Sequence, residues 1–149
     1  MTATLNPQIL GQAEAAHRAV LDRILAGSGT TYPQWVTLAL AGRSSEPLTR
    51  AVLQERVATA LKINAGTAAR AVADLDAQGL LETHPDSAET VGLSASGRRL
   101  HDDIRQDIDE IMTRVYAGLD PADLEAAGRL LLTLTHRASD ELATHFEDQ

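Results

Sequence analysis

Residues 64–79 read NAGTAARAVADLDAQG, and the fold of this stretch decides how the rest of the chain is understood. Asn64 offers an N-cap oxygen to the first free amides of a helix, and Gly79 stands where a helix commonly stops. Ala68, Ala71, Val72 and Leu75 recur at helical spacing and define a core face. At 100° per residue the opposite face carries Gly66, Ala69, Arg70, Ala73 and Ala77, very small residues around one long cation. A helix entering the DNA major groove needs little bulk at the base edges, plus a guanidinium able to reach guanine or phosphate. An alanine-rich solvated helix has the same pattern, so the flanking segments must decide.

Directly upstream, the spacing predicts a helix from about Leu48 through Val52, Leu53, Val57 and Leu61, with Arg50, Gln54, Glu55 and Arg56 left for solvent or phosphate. Lys62 to Asn64 is then a tight turn, and two helices joined so closely form a helix-turn-helix. Downstream, Leu80 to His84 and Thr90 to Ser94 change to an extended pattern across Pro85–Glu89, which predicts a β-hairpin. A hairpin immediately behind a recognition helix is the layout of a winged helix. An ordinary connecting hairpin is the competing interpretation.

Farther out the chain is helical. Residues 7–26 place Ile9, Leu10, Ala13, Ala16, Val20, Leu21, Ile24 and Leu25 on one stripe, with Asn6 and Pro7 at the start and Gly27, Ser28 and Gly29 at the end. Tyr32 and Pro33 introduce a short apolar segment, residues 34–40, ended by Gly42 to Pro47. After the hairpin, Leu100, Ile104, Ile108, Ile111, Val115 and Leu119 form a nearly heptad stripe flanked by Asp102, Asp103, Asp107, Asp109 and Glu110. Asp120 and Pro121 then cap a final helix whose apolar face is Leu124, Ala127, Leu131, Leu134, Ala138 and Leu142. This pair has more apolar edge than its own chain readily covers, and a second subunit would cover it.

Composition bounds the function. At 149 residues and 44% hydrophobic content the chain is long enough for one domain with a core. Zero cysteines exclude disulfides, thiolate metal sites and thiol redox sensing. No run of about 18 apolar residues is present, and the N-terminal MTATLNPQ lacks a signal pattern, so a cytoplasmic protein without membrane contact is expected. The net charge of −8 is uneven: residues 1–42 carry two basic and two acidic groups, residues 43–99 seven of each, and residues 100–149 four and twelve. Phosphate contact by the neutral middle is therefore permitted. His17, His84, His101, His136 and His145 are scattered, and no phosphate loop or nucleophile elbow appears, so neither catalysis nor a cofactor is expected. His136 with Asp140 and Glu141 with His145 stand at i, i+4, a spacing that suits two metal ligands but arises equally as helix-surface pairing; no metal is expected.

The order of elements and three segments carry a resemblance. They are LTRAVLQERVATALKINAGTAARAVADLDAQGLLE (48–82), VGLSASGRRL (91–100) and YAGLDPADLEAAGRLLLTL (116–134). Together they resemble the MarR family of winged helix-turn-helix transcriptional regulators, the second segment resembling that family's Leu-Thr-x-x-Gly junction. The resemblance implies a mainly α fold with a small β-hairpin wing, as a single domain over 1–149. Within it, residues 32–99 would form the DNA-binding lobe, and 7–26 with 100–146 the dimerisation region. It also implies a homodimeric regulator, a repressor by preference, that binds double-stranded DNA and is modulated by a small aromatic or anionic effector. DNA contacts are expected from Arg50, Arg56, Lys62, Asn64, Gly66, Thr67, Ala69, Arg70 and Ala73. His17, Arg18, Tyr32, Trp35, Met112 and Tyr116 are effector-site candidates, with core packing or a solvated surface as the alternative. The family's wing commonly carries Asp-x-Arg, whereas PDSAET (85–90) holds no arginine. That departure keeps a second expectation open: a winged-helix dimer that has lost ordinary DNA binding and serves as a small-molecule or protein-binding module.

Overall fold

The computed structural model describes residues 3–146. Helix α1 (Pro7–Gly27) begins where the Ile9 amide donates to the Asn6 side chain, 3.0 Å away, and beyond its C-cap, Ser28, the chain turns at Gly29, whose φ is +67°. Helix α2 (Tyr32–Arg43) opens with a capping box in which Thr31 and Gln34 satisfy each other's backbone amides. It is longer than its apolar segment predicts, because Gly42 does not stop it. A Cβ on Gly42 would lie 3.1 Å from Leu93 Cδ1 and 3.2 Å from His101 Nε2, so this glycine admits neighbours that come close. The helix ends at Ser44, and 44–47 form the expected loop.

The expected helix start at Leu48 is corrected. Leu48–Thr49 form a short strand, β1, and α3 runs Arg50–Leu61 with Thr49 as its N-cap. Lys62 adopts the left-handed conformation (φ 54°) that turns the chain toward α4 (Ala65–Ala77). Asn64 accepts the Thr67 amide at 2.8 Å as the α4 cap, and Gly79 leaves that helix at φ +70°. Strands β2 (Leu81–His84) and β3 (Ser87–Leu93) form the hairpin, and β1 adds to it in the order β1-β3-β2, all antiparallel. Leu81 faces Leu93 and Thr83 faces Val91, but His84 pairs with Ser87, so the ladder is irregular near the tip. The tip is correspondingly shorter than expected, with Pro85 and Asp86 alone outside the strands.

Helix α5 (Ala95–Val115) follows the sheet and α6 (Pro121–His145) follows a break at Gly118 (φ +77°), with Asp120 accepting the Ala122 amide. Leu119, expected to complete the α5 stripe, lies beyond the helix end. The chain divides into two compact units, residues 1–110 and 111–149. In the first, Leu25, Trp35, Leu38, Leu53, Val57, Ala68, Ala71, Val72, Leu75, Leu81, Val91, Leu93 and Ile104 form one buried core. The four predicted core positions of α4 are all within it. In the second, α6 has no buried residue. Leu131 is 38% exposed, Leu142 47% and Leu132 68%.

Candidate nucleic-acid interface

The way α4 is presented follows from its packing against α2 and α3. Ala68, Ala71, Val72 and Leu75 are buried, so the helix cannot rotate without exposing them. Gly66, Arg70, Ala73 and Ala77 are thereby turned to solvent, with Ala69 half-buried at the margin. Beyond its own chain neighbours, a Cβ on Gly66 would meet nothing nearer than Asn64 Oδ1 at 3.5 Å. The fold itself therefore does not demand glycine there. Asn64 is exposed, but its Oδ1 is engaged in capping; the exposed Thr67 spends its amide in that contact. Arg70, Arg56 and Lys62 are exposed, and Arg56 also borders a shallow groove of about 380 Å³ with Leu40, Val52 and Thr59.

Arg50 is paired within the fold. Its guanidinium donates to both carboxylate oxygens of Asp76, near the end of α4, and the two side chains are each about one-third exposed. Asp76 was not singled out from the sequence, because it lies 26 positions from its partner. Arg98 and Arg99 were also passed over. They are adjacent and exposed at the start of α5, where the only signal was a basic pair following Gly97.

The end of the wing is fastened to the segment that follows α4. The Ser94 hydroxyl donates to Gly79 O at 2.6 Å and accepts the Gly97 amide at 3.0 Å, while the Ser94 amide donates to Leu80 O at 3.0 Å. Gly97 passes so close that a Cβ there would stand 2.0 Å from that same carbonyl oxygen. The wing presents Glu82, Asp86 and Glu89 as exposed acids, and His84 Nδ1 accepts the Asp86 amide at 3.2 Å.

Among the effector candidates of the first unit, Arg18 lies 3.3 Å above the Tyr32 ring and pairs with Asp22 at 3.3 Å. Trp35 is 9% exposed and stacks on His101, with ring centroids 5.5 Å apart, so it is a core residue. His101 in turn lies 3.0 Å from Asp102. His17 holds Ala13 O at 2.8 Å. Met112 and Tyr116 belong to the second unit, where Met112 is half-buried and Tyr116 is 42% exposed. On α6 the predicted Glu141–His145 pair is formed at 3.0 Å, and no group of three metal-ligating side chains occurs among the described residues.

Two close helices, an outward small-residue face and a three-stranded wing define a winged helix-turn-helix protein. No protein-family model matches the sequence, and no curated protein matches it. Solved structures do. The chain is similar to a MarR-family transcriptional regulator from Rhodococcus sp. RHA1, at 20% identity over 89% of this chain and 97% of that one, with a TM-score of 0.69. It is similar to CouR from Rhodococcus jostii RHA1, solved with p-coumaroyl-CoA bound, at 19% identity over 85% and 88% of the two chains and a TM-score of 0.71. A mutant of S. aureus MepR solved bound to an oligodeoxyribonucleotide matches at 18% identity over 91% and 99%, with a TM-score of 0.55. The fold of this chain is that of the MarR-family transcriptional regulators. Among the described residues no helix is long and apolar enough to cross a membrane.

Proposed function

We propose that this protein is a homodimeric DNA-binding transcriptional regulator of the MarR type, a repressor whose grip on its operator is modulated by a small aromatic or anionic molecule. The observation that carries it is the outward face of α4. There Arg70 stands exposed among Gly66, Ala69, Ala73 and Ala77, and no hydrogen bond or ion pair holds it among the described residues. Such a face admits close approach to base edges, and a guanidinium released from internal partners is free for a bidentate contact with guanine. Arg56 and Lys62 supply backbone contacts that position the helix. The oligodeoxyribonucleotide bound by the MepR mutant supports the DNA assignment, and the acyl-CoA bound by CouR supports an anionic, aromatic effector.

Dimerisation falls to residues 7–26 and 100–146. Its support is the exposed leucine surface of α6 and, taken by itself, Leu10 of α1, 38% exposed, since exposed apolar side chains in such number on one helix are costly to leave in water. A second reading rests on one observation, the wing. Its exposed charges are Glu82, Asp86 and Glu89, which phosphate repels, so a winged-helix dimer acting through small-molecule or protein contacts is the alternative. Fluorescence anisotropy with DNA flanking the protein's own gene separates the two. Saturable, salt-sensitive and sequence-dependent binding supports the regulator, and equal weak binding to all duplexes favours the alternative.

A further inference from the structure

Arg50 is the first residue of α3 and Asp76 lies in the last turn of α4. Each charge opposes the dipole of its own helix, a cation at a positive end and an anion at a negative end. Paired across the two helices, the two charges offset one another. The contact is bidentate, which fixes orientation as well as distance. The two helices are joined covalently at one end by the Lys62–Asn64 turn, and this ion pair ties their other ends.

We propose that Arg50 and Asp76 are positioning residues for DNA binding. They lock the angle of the recognition helix on α3, and Arg50 makes no phosphate contact of its own. This rests on the assignment of α4 as the reading surface. A rotation of α4 about its turn would carry Arg70 and Thr67 away from a groove that α3 still faces, so loosening the far end lowers affinity for the specific site more than for random duplex.

The charge-swapped variant carrying Arg50→Asp and Asp76→Arg decides the matter. It puts an acid at the start of α3 and a base at the end of α4, both in accord with the helix dipoles, so the fold is retained. Anisotropy titrations would be run at several salt concentrations on the parent, Arg50→Ala, Asp76→Ala and the swap. An operator fragment selected by the parent and a random duplex serve as probes. The expected result is a loss of about three- to ten-fold in operator affinity for each single variant, an unchanged slope against log salt, and recovery to within about three-fold in the swap. The proposal is overturned if Arg50→Ala flattens the salt slope by about one unit, Asp76→Ala tightens binding and the swap fails to bind, since that pattern marks a direct phosphate contact. It is equally overturned if the single variants bind like the parent. A parent that selects no duplex overturns the DNA-binding assignment instead. Urea unfolding of the same four proteins then shows whether the interlock exists without that role.

Discussion

Replacing Gly97 by alanine tests whether the wing, α4 and α5 meet as tightly as the structure places them. An added Cβ would stand 2.0 Å from Leu80 O and 3.0 Å from Leu80 C, both backbone atoms. Relief requires about 1 Å of movement to reach even the closest tolerable contact. Neither side yields easily. The Leu80 amide donates to Leu75 O, its carbonyl accepts the Ser94 amide, and the adjoining Leu81, Leu93 and Ile104 are buried. Losing the Ser94–Leu80 hydrogen bond costs about 1 kcal/mol. Repacking around a forced backbone shift adds roughly 1–3 kcal/mol. The better helix propensity of alanine returns about 0.5–1 kcal/mol, so the net loss is about 2 kcal/mol. Urea unfolding at one fixed protein concentration measures it, because a dimer's stability depends on concentration. Gly66→Ala is the control: its Cβ meets only Asn64 Oδ1 at 3.5 Å, so stability should hold or rise slightly. If Gly97→Ala unfolds at the same urea concentration as its parent, the close passage of α5 over Leu80 is wrong.

Arg70→Ala should cost about 1–3 kcal/mol of operator binding and relax preference at one base position, whereas loss of a phosphate contact through Lys62→Ala should weaken all duplexes alike; competition titrations with single-position operator variants separate the two. Gly66→Ala, harmless to the fold, should weaken operator binding if α4 approaches DNA closely, and unchanged affinity would count against that approach. Replacing Asp86 and Glu89 together by alanine should leave affinity unchanged or slightly higher, and abolished binding in the same anisotropy assay would move the reading surface from α4 to the wing. Truncation after Leu119 removes α6, and an obligate interface commonly buries about 2,000 Å² or more, so the shortened chain should aggregate or unfold; a well-behaved monomer in sedimentation, from either the truncated or the full chain, would refute the dimer.

What the sequence determined by itself was whatever depends on residues within a turn or two of one another. Asn64 caps α4, Asp120 caps α6, and the periodicity of Ala68, Ala71, Val72 and Leu75 identified the buried face, because capping and amphipathicity act at separations of three or four residues. The exposed small-residue face around Arg70 followed as the complement of that core. Only the tertiary structure decided the rest. Leu48–Thr49 became a strand because β3, some forty residues later, offers Val91 and Thr90 as partners; two residues have no strand character alone. Gly42, read from the sequence as a helix stop, lies inside α2, where Leu93 and His101 occupy the space a side chain would fill. Arg50, a free cation on paper, was claimed by Asp76, and Gly97 was fixed by the carbonyl of Leu80. Each of these depends on an atom that chain connectivity leaves far away and that only packing brings within contact distance.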